Sequence, residues 1–83
     1  MSYFVYILKS TKNTKIKTYV GYTNNLKRRL ILHNKGKGAK STRGRNWKII
    51  YSEKFPTKSK AISREYYIKK NRKLRNYIKE TYK

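Results

Sequence analysis

The stretch Tyr3-Phe-Val-Tyr-Ile-Leu8 is the longest unbroken apolar run in the chain, and it constrains the fold more than any other feature. A strand with one wet face alternates polar and apolar residues. This run does not, so both of its faces must be covered. It predicts a strand at the centre of a sheet with material packed on either side. The run is far shorter than the roughly 20 apolar residues that span a bilayer. The N-terminus also lacks the charged region, apolar core and small-residue cleavage site of a secretory signal. The sequence therefore reads as cytoplasmic, close to DNA, neither secreted nor membrane-bound.

The rest of the chain supplies the partners of that strand. Ser10 to Lys17 is polar and turn-rich, and Thr18-Tyr-Val-Gly-Tyr22 reads as a second strand, paired antiparallel across a longer loop. Thr23, Asn24 and Asn25 offer N-caps for a helix ending near Gly36. In that helix Leu26, Leu30 and His33 keep helical spacing, with Arg29 on the margin of the same face. Asn34 to Asn46, rich in Lys, Gly, Arg and Ser, reads as a mobile basic loop. Trp47 to Tyr51, reaching toward Phe55, is a third strand. Pro56 and Thr57 open a helix through about Lys70, and Asn71 to Tyr82 predicts another, with Leu74, Tyr77 and Ile78 as its apolar stripe. The order β-β-α-β-α-α implies an α+β fold, a three-stranded antiparallel sheet flanked by helices, in a single domain over residues 1–83.

Charge decides what such a domain binds. Lys and Arg number 24 against 3 acidic residues, a formal net charge of +21 on 83 residues. Self-repulsion on that scale works against folding and calls for a polyanionic partner. Nucleic acid fits best, since neutralising phosphates releases counterions whatever the base sequence. Disorder is opposed by nine Tyr, two Phe and one Trp, because disordered segments are poor in aromatics. The absence of cysteine removes disulfides, thiolate metal sites and cysteine nucleophiles together.

Three groups of residues carry chemical potential. Tyr6 and Tyr19 lie on strands that can pair so that both rings share a face, with Gly21 leaving room for a backbone or phosphate to approach. Taken alone, two tyrosines among nine read first as packing residues. Arg29 and His33 are four apart and hence neighbours on a helix surface, a spacing that a solvated basic face also produces. Glu65 shares an apolar helix stripe with Ala61 and Ile68, where an unpaired carboxylate is costly. It is either a metal ligand or half of an ion pair.

Taken in order, these residues resemble the GIY-YIG nuclease family. Val5-Tyr6 and Tyr19-Val20-Gly21 look like the two halves of its signature, with Phe4 where the first motif has glycine. Arg29 follows Gly21 by eight residues, His33 comes four later, and Glu65 precedes the basic Lys69-Lys70. Gly44-Arg45-Asn46-Trp47 and Phe55-Pro56 are similar to the branch that contains the catalytic subunit of a eukaryotic structure-specific nuclease. The resemblance implies a metal-dependent endonuclease acting on DNA phosphodiester bonds, with branched or flap DNA in repair or recombination as the expected substrate. It implies Glu65 as ligand of one divalent metal, Mg²⁺ with Mn²⁺ as substitute. It further implies Arg29 gripping the phosphate, Tyr6 positioning or deprotonating the attacking water, Tyr19 supporting that water or the phosphate, and His33 as the last member of the catalytic set. A tyrosine base needs its pKa lowered from about 10, and the metal and the positive surroundings are expected to do so. Arg28, Lys35, Lys37, Lys40, Arg43 and Arg45 are expected to track the DNA backbone without reading bases. No stretch of these 83 residues resembles the zinc-binding or DNA-targeting domains of larger members, so the resemblance does not extend to substrate choice. A non-catalytic nucleic-acid binder on the same fold is the alternative. It accounts for the charge and the aromatics but not for an acid on an apolar helix face.

Overall fold

The computed structural model of the chain describes residues 2–81. The apolar run lies within β1 (Tyr3–Lys12), which is paired antiparallel with β2 (Lys15–Thr23) on one side and β3 (Lys48–Phe55) on the other, in the order β2-β1-β3. The central position follows from the continuous apolar run, and Val5, Tyr6, Ile7 and Leu8 are all buried. Both strands of the hairpin run further than their apolar residues indicate. β1 and β2 stay paired down to Lys12 opposite Lys15, and a two-residue turn at Asn13 and Thr14 closes them, both at positive φ (51° and 67°). This tight turn, rather than a longer loop, matches the right-handed twist of the paired strands.

Helix α1 (Leu26–Asn34) is capped by Asn25, whose side chain accepts from the Arg28 N–H, and it stops before Gly36 at φ 75°. Helix α2 (Lys58–Lys70) starts from Thr57, which accepts from the Lys60 N–H. Asn71 ends α2, and its side-chain oxygen accepts from the Leu74 N–H to begin α3 (Arg72–Thr81). Tyr82, the end of this helix as read from the sequence, lies outside the described residues. No helix among the described residues is long and apolar enough to cross a membrane.

The sheet separates two apolar clusters. Val5 and Ile7 join Val20, Ile50, Ala61, Ile68 and Ile78 on the face covered by α2 and α3. Tyr6 and Leu8 join Trp47, with Leu26 and Leu30 packed against them, on the face covered by α1. Within α3, Leu74 and Ile78 pack inward while Tyr77 is exposed, so the buried stripe is narrower than its sequence indicates. A bidentate contact fixes α2 against β3. The Arg64 Nε and Nη2 groups donate to the two Glu53 oxygens at 2.8 and 3.1 Å, and the Tyr51 hydroxyl donates to the same carboxylate at 2.6 Å. Burial opposes the charge on Glu53, but the hydrogen bonds from Arg64 and Tyr51 and the charge of Arg64 outweigh it. They hold its pKa below the ordinary 4.5.

The segment read as a mobile basic loop is pinned. Its middle is a 3₁₀ turn over Lys40–Thr42, and Thr42 is fully buried. The Trp47 indole N–H donates to the Thr42 carbonyl at 2.8 Å. The Asn34 side chain bonds both backbone groups of Trp47, tying the end of α1 to the start of β3. Lys35, Lys37, Lys40 and Arg43 lie on the outside of this anchored loop, and composition alone does not distinguish that arrangement from disorder.

Candidate active site

An open cleft of about 420 Å³ is lined by Tyr3, Tyr6, Tyr19, Tyr22, Thr23, Asn24, Arg29, Lys58 and Glu65. Four of the five residues assigned catalytic roles from the sequence therefore line one cavity, and the fifth, His33, sits directly behind it. Opposed residues on antiparallel strands share a face. Tyr6 faces Gly21 and Leu8 faces Tyr19 across β1 and β2, which brings the Tyr6 and Tyr19 rings to 6.3 Å centroid separation. The α1 helix brings Arg29 and His33 to the same place, one turn apart. His33 meets Tyr6 edge-on at 5.9 Å and Tyr19 in a tilted contact at 4.9 Å.

A connected set of polar contacts runs through this cluster. The Tyr6 hydroxyl lies 2.9 Å from His33 Nε2, and His33 Nδ1 lies 2.9 Å from Thr42 Oγ1. Arg29 Nε donates to the Tyr6 oxygen at 3.4 Å. His33 is wholly buried. Burial, with the Arg29 charge adding to it, lowers its pKa below the ordinary 6.5, so the ring is neutral at pH 7.

Two expectations are corrected here. The space left by Gly21 is filled by Tyr6 itself, since a Cβ on Gly21 would meet the Tyr6 hydroxyl at 2.6 Å and its ring at 2.8 Å. The glycine makes room for the tyrosine, not for an incoming phosphate. The positive surroundings also do not lower the Tyr6 pKa. Burial of the phenol raises it to about 12, and the hydrogen bond from Arg29 only partly opposes this. Without a metal, phenolate is therefore rare at pH 7, and His33 Nε2 is the proton acceptor within reach of Tyr6.

Glu65 lies at the edge of the buried stripe formed by Ala61 and Ile68, with its side chain 16 % exposed. Its carboxylate is 3.4 Å from Lys69 Nζ, one turn along α2, and Lys69 is half exposed. With its lysine end in water and a long 3.4 Å separation, this pair holds Glu65 only weakly. No cluster of three or more His, Cys, Asp or Glu side chains exists among the described residues, so this donor set is a single carboxylate beside hydroxyls. It fits a hard divalent cation that keeps most of its water, as Mg²⁺ does.

The positions assigned to the DNA backbone divide by place. Arg28 lines a groove with Thr23, Asn24 and Arg29 that shares those three residues with the cleft. Lys35 and Arg45 line a separate groove with Lys12 and Asn34, where Arg45 also donates to the Ser10 carbonyl at 3.3 Å. Lys37, Lys40 and Arg43 are exposed on the loop outside both walls. Sequence reasoning missed Thr42, Lys58 and Gly38. A Cβ at Gly38 would press on the His33 ring, meeting Cε1 and Cγ at 2.8 Å. The Gly36-Lys-Gly38 spacing is the one local trace of that close approach.

The β-β-α-β-α-α topology is that of the GIY-YIG fold, and the model of the GIY-YIG catalytic domain matches residues 2–79. The chain belongs to this family. Membership carries nuclease chemistry in general, with DNA as the polymer acted on and a divalent metal as helper. Among its relatives, the chain is 53% identical over 68 residues to the UPF0213 protein CPE1444 of Clostridium perfringens, covering 81% of this chain and 70% of that one. It is 43% identical over 82 residues to the UPF0213 protein YazA of Bacillus subtilis, covering 95% and 80%. The solution NMR structure of the UPF0213 protein BH0048 from Bacillus halodurans superposes with a TM-score of 0.54 at 36% identity. That superposition covers 98% of this chain and 85% of the other.

Proposed function

We propose that this chain is an endonuclease that hydrolyses DNA phosphodiester bonds with Mg²⁺, acting on branched or flap DNA in repair or recombination. One observation carries the reading: Tyr6, Tyr19, Arg29 and Glu65 converge on one cleft, with neutral His33 placed behind Tyr6. Glu65 would hold the metal, which when bound stabilises charge on the phosphate and on the leaving oxygen. Arg29, kept fully charged by its hydrogen bond to Tyr6 despite partial burial, grips the phosphate.

Tyr6 and His33 act as one base. A water O–H bond breaks as its proton passes to the Tyr6 oxygen, and the Tyr6 proton passes to His33 Nε2, 2.9 Å away. The hydroxide attacks phosphorus, the P–O bond opposite breaks, and the departing alkoxide takes a proton from solvent. Coupling the two transfers avoids a free phenolate, which burial makes rare. Tyr19, which lines the cleft and packs against His33, supports the water or the phosphate. Arg28, Lys35, Lys37, Lys40, Arg43 and Arg45 hold the backbone on either side of the cleft. Preference for branched DNA rests on the resemblance at Gly44 to Trp47 and Phe55-Pro56, and a protein partner would refine it. The DNA-containing cytoplasm is the place of action this reading assigns.

A non-catalytic nucleic-acid binder is the second reading, favoured by Lys69 on Glu65 and Lys58 in the cleft. Purified protein incubated with flap, branched and plain duplex DNA, in Mg²⁺ or in EDTA, separates the two. Cleavage that needs Mg²⁺ and is fastest on branched DNA is the expected result. Tight binding of all three with no cutting in any divalent metal would leave the binder.

A further inference from the structure

We infer that Thr42 is a positioning residue for the reaction, fixing the tautomer of His33 so that Nε2 faces Tyr6 without a proton. The inference rests on the nuclease reading for its catalytic consequence, and on geometry alone for the tautomer. A neutral imidazole has one N–H, and its location is set by what the other nitrogen meets. The side chain of Thr42 is fully buried, and its single hydroxyl proton goes to the Ala39 carbonyl at 2.8 Å. An oxygen that has spent its proton can only accept, so the contact from His33 Nδ1 at 2.9 Å is an N–H donation to Thr42. Nε2 then carries a lone pair, and the 2.9 Å contact with Tyr6 is donated by the phenol.

The opposite tautomer breaks the chain in two places. Thr42 would have to turn its proton away from Ala39. Nε2–H would compete with Arg29 Nε for the Tyr6 oxygen, and the Tyr6 proton would have nowhere to go. A solvated histidine favours the Nε2–H form, so the protein has to enforce the other one. The enforcing contact is built on an anchored turn. The Trp47 indole holds the Thr42 carbonyl at 2.8 Å, and the Thr42 N–H also reaches the Ala39 carbonyl at 3.1 Å. Gly38 lets the turn close over the ring, since any side chain there would displace His33.

The chain has a single histidine, so its ring nitrogens can be read directly by ¹⁵N NMR. In the wild-type protein at pH 8 the proton should sit on Nδ1. Thr42→Val, which keeps the shape and loses the hydroxyl, should shift the population toward Nε2–H. It should also lower saturated cleavage by roughly 10- to 100-fold, the range typical of groups that orient a functional histidine from behind. DNA affinity should not change. Thr42→Ser should restore both tautomer and rate. A proton on Nε2 in the wild type, or an unchanged tautomer in Thr42→Val, overturns the inference. So does a Thr42→Ser variant that is folded and keeps the Nδ1–H form yet cleaves no faster than Thr42→Val. Should Thr42→Val fail to fold, the wild-type spectrum and the serine variant still decide it. A wild-type chain that does not cut DNA removes the nuclease reading and the catalytic part of this one, while the NMR result stands independently.

Discussion

At the scale of single residues, Glu65 and His33 make opposite demands on their surroundings. Glu65→Gln keeps the shape and removes the charge a hard cation needs. If Glu65 holds the metal, cleavage should fall on the order of a thousandfold, with DNA affinity equal or higher and melting temperature unchanged. If it serves only Lys69, whose own side chain is half exposed, the variant should cut at close to the wild-type rate. His33 is instead a stability sensor. Its folded pKa is lowered by burial and by Arg29, so the unfolded chain binds a proton first as pH falls below 6.5. Stability should then drop between pH 6.5 and the folded pKa, at up to about 1.4 kcal/mol per pH unit. Glu53, whose folded pKa is depressed, holds its contribution until pH falls below about 4.5. Urea titrations at pH 7, 6 and 5 therefore isolate the histidine, and His33→Gln should flatten the slope.

Elements carry the next level of division. The loop between α1 and β3 presents Lys37, Lys40 and Arg43 outward and Thr42 inward. Changing the three cations together to Ala should weaken DNA binding and reduce its salt dependence, at about 0.9 in the log–log slope for each phosphate no longer neutralised. Saturated turnover should hold. Collapse of turnover would mean that the cations, and not only Thr42, serve the chemistry. Helix α2 depends on a different interaction. Arg64→Ala removes the bidentate grip on Glu53, which should lower stability by about 1 kcal/mol at this partial exposure. Because the same helix carries Glu65, Mg²⁺ affinity measured by cleavage should also weaken. Much of this arrangement is legible in the sequence. The apolar run at Tyr3 to Leu8 locates the central strand, and strand and helix periodicity bring Tyr6, Tyr19, Arg29 and His33 to one side. Those signals are local. Thr42 acts on a histidine nine residues away in sequence, across a segment whose composition reads only as basic loop, and no periodicity points to it. The Tyr6 pKa is hidden for a related reason: the sequence displays charge, while burial, which outweighs it, is a property of the assembled core.

For the molecule as a whole, net charge of +21 is the dominant quantity. If the basic surface neutralises about 6 phosphates, log affinity should fall against log salt with a slope near −5. Binding that barely changes from low to moderate salt would contradict a phosphate-driven interface. Sulfate or short DNA should raise the melting temperature by relieving repulsion and by binding the folded state. The order β2-β1-β3 has a consequence for how copies of the protein tolerate one another. A three-stranded sheet ends in two rims of unpaired backbone groups, the template on which separate molecules fuse into larger sheets. Lys15 and Lys17 stand exposed on one rim and Lys48 and Lys54 on the other. Rim-to-rim approach thus sets ammonium against ammonium, which should oppose fusion of separate sheets.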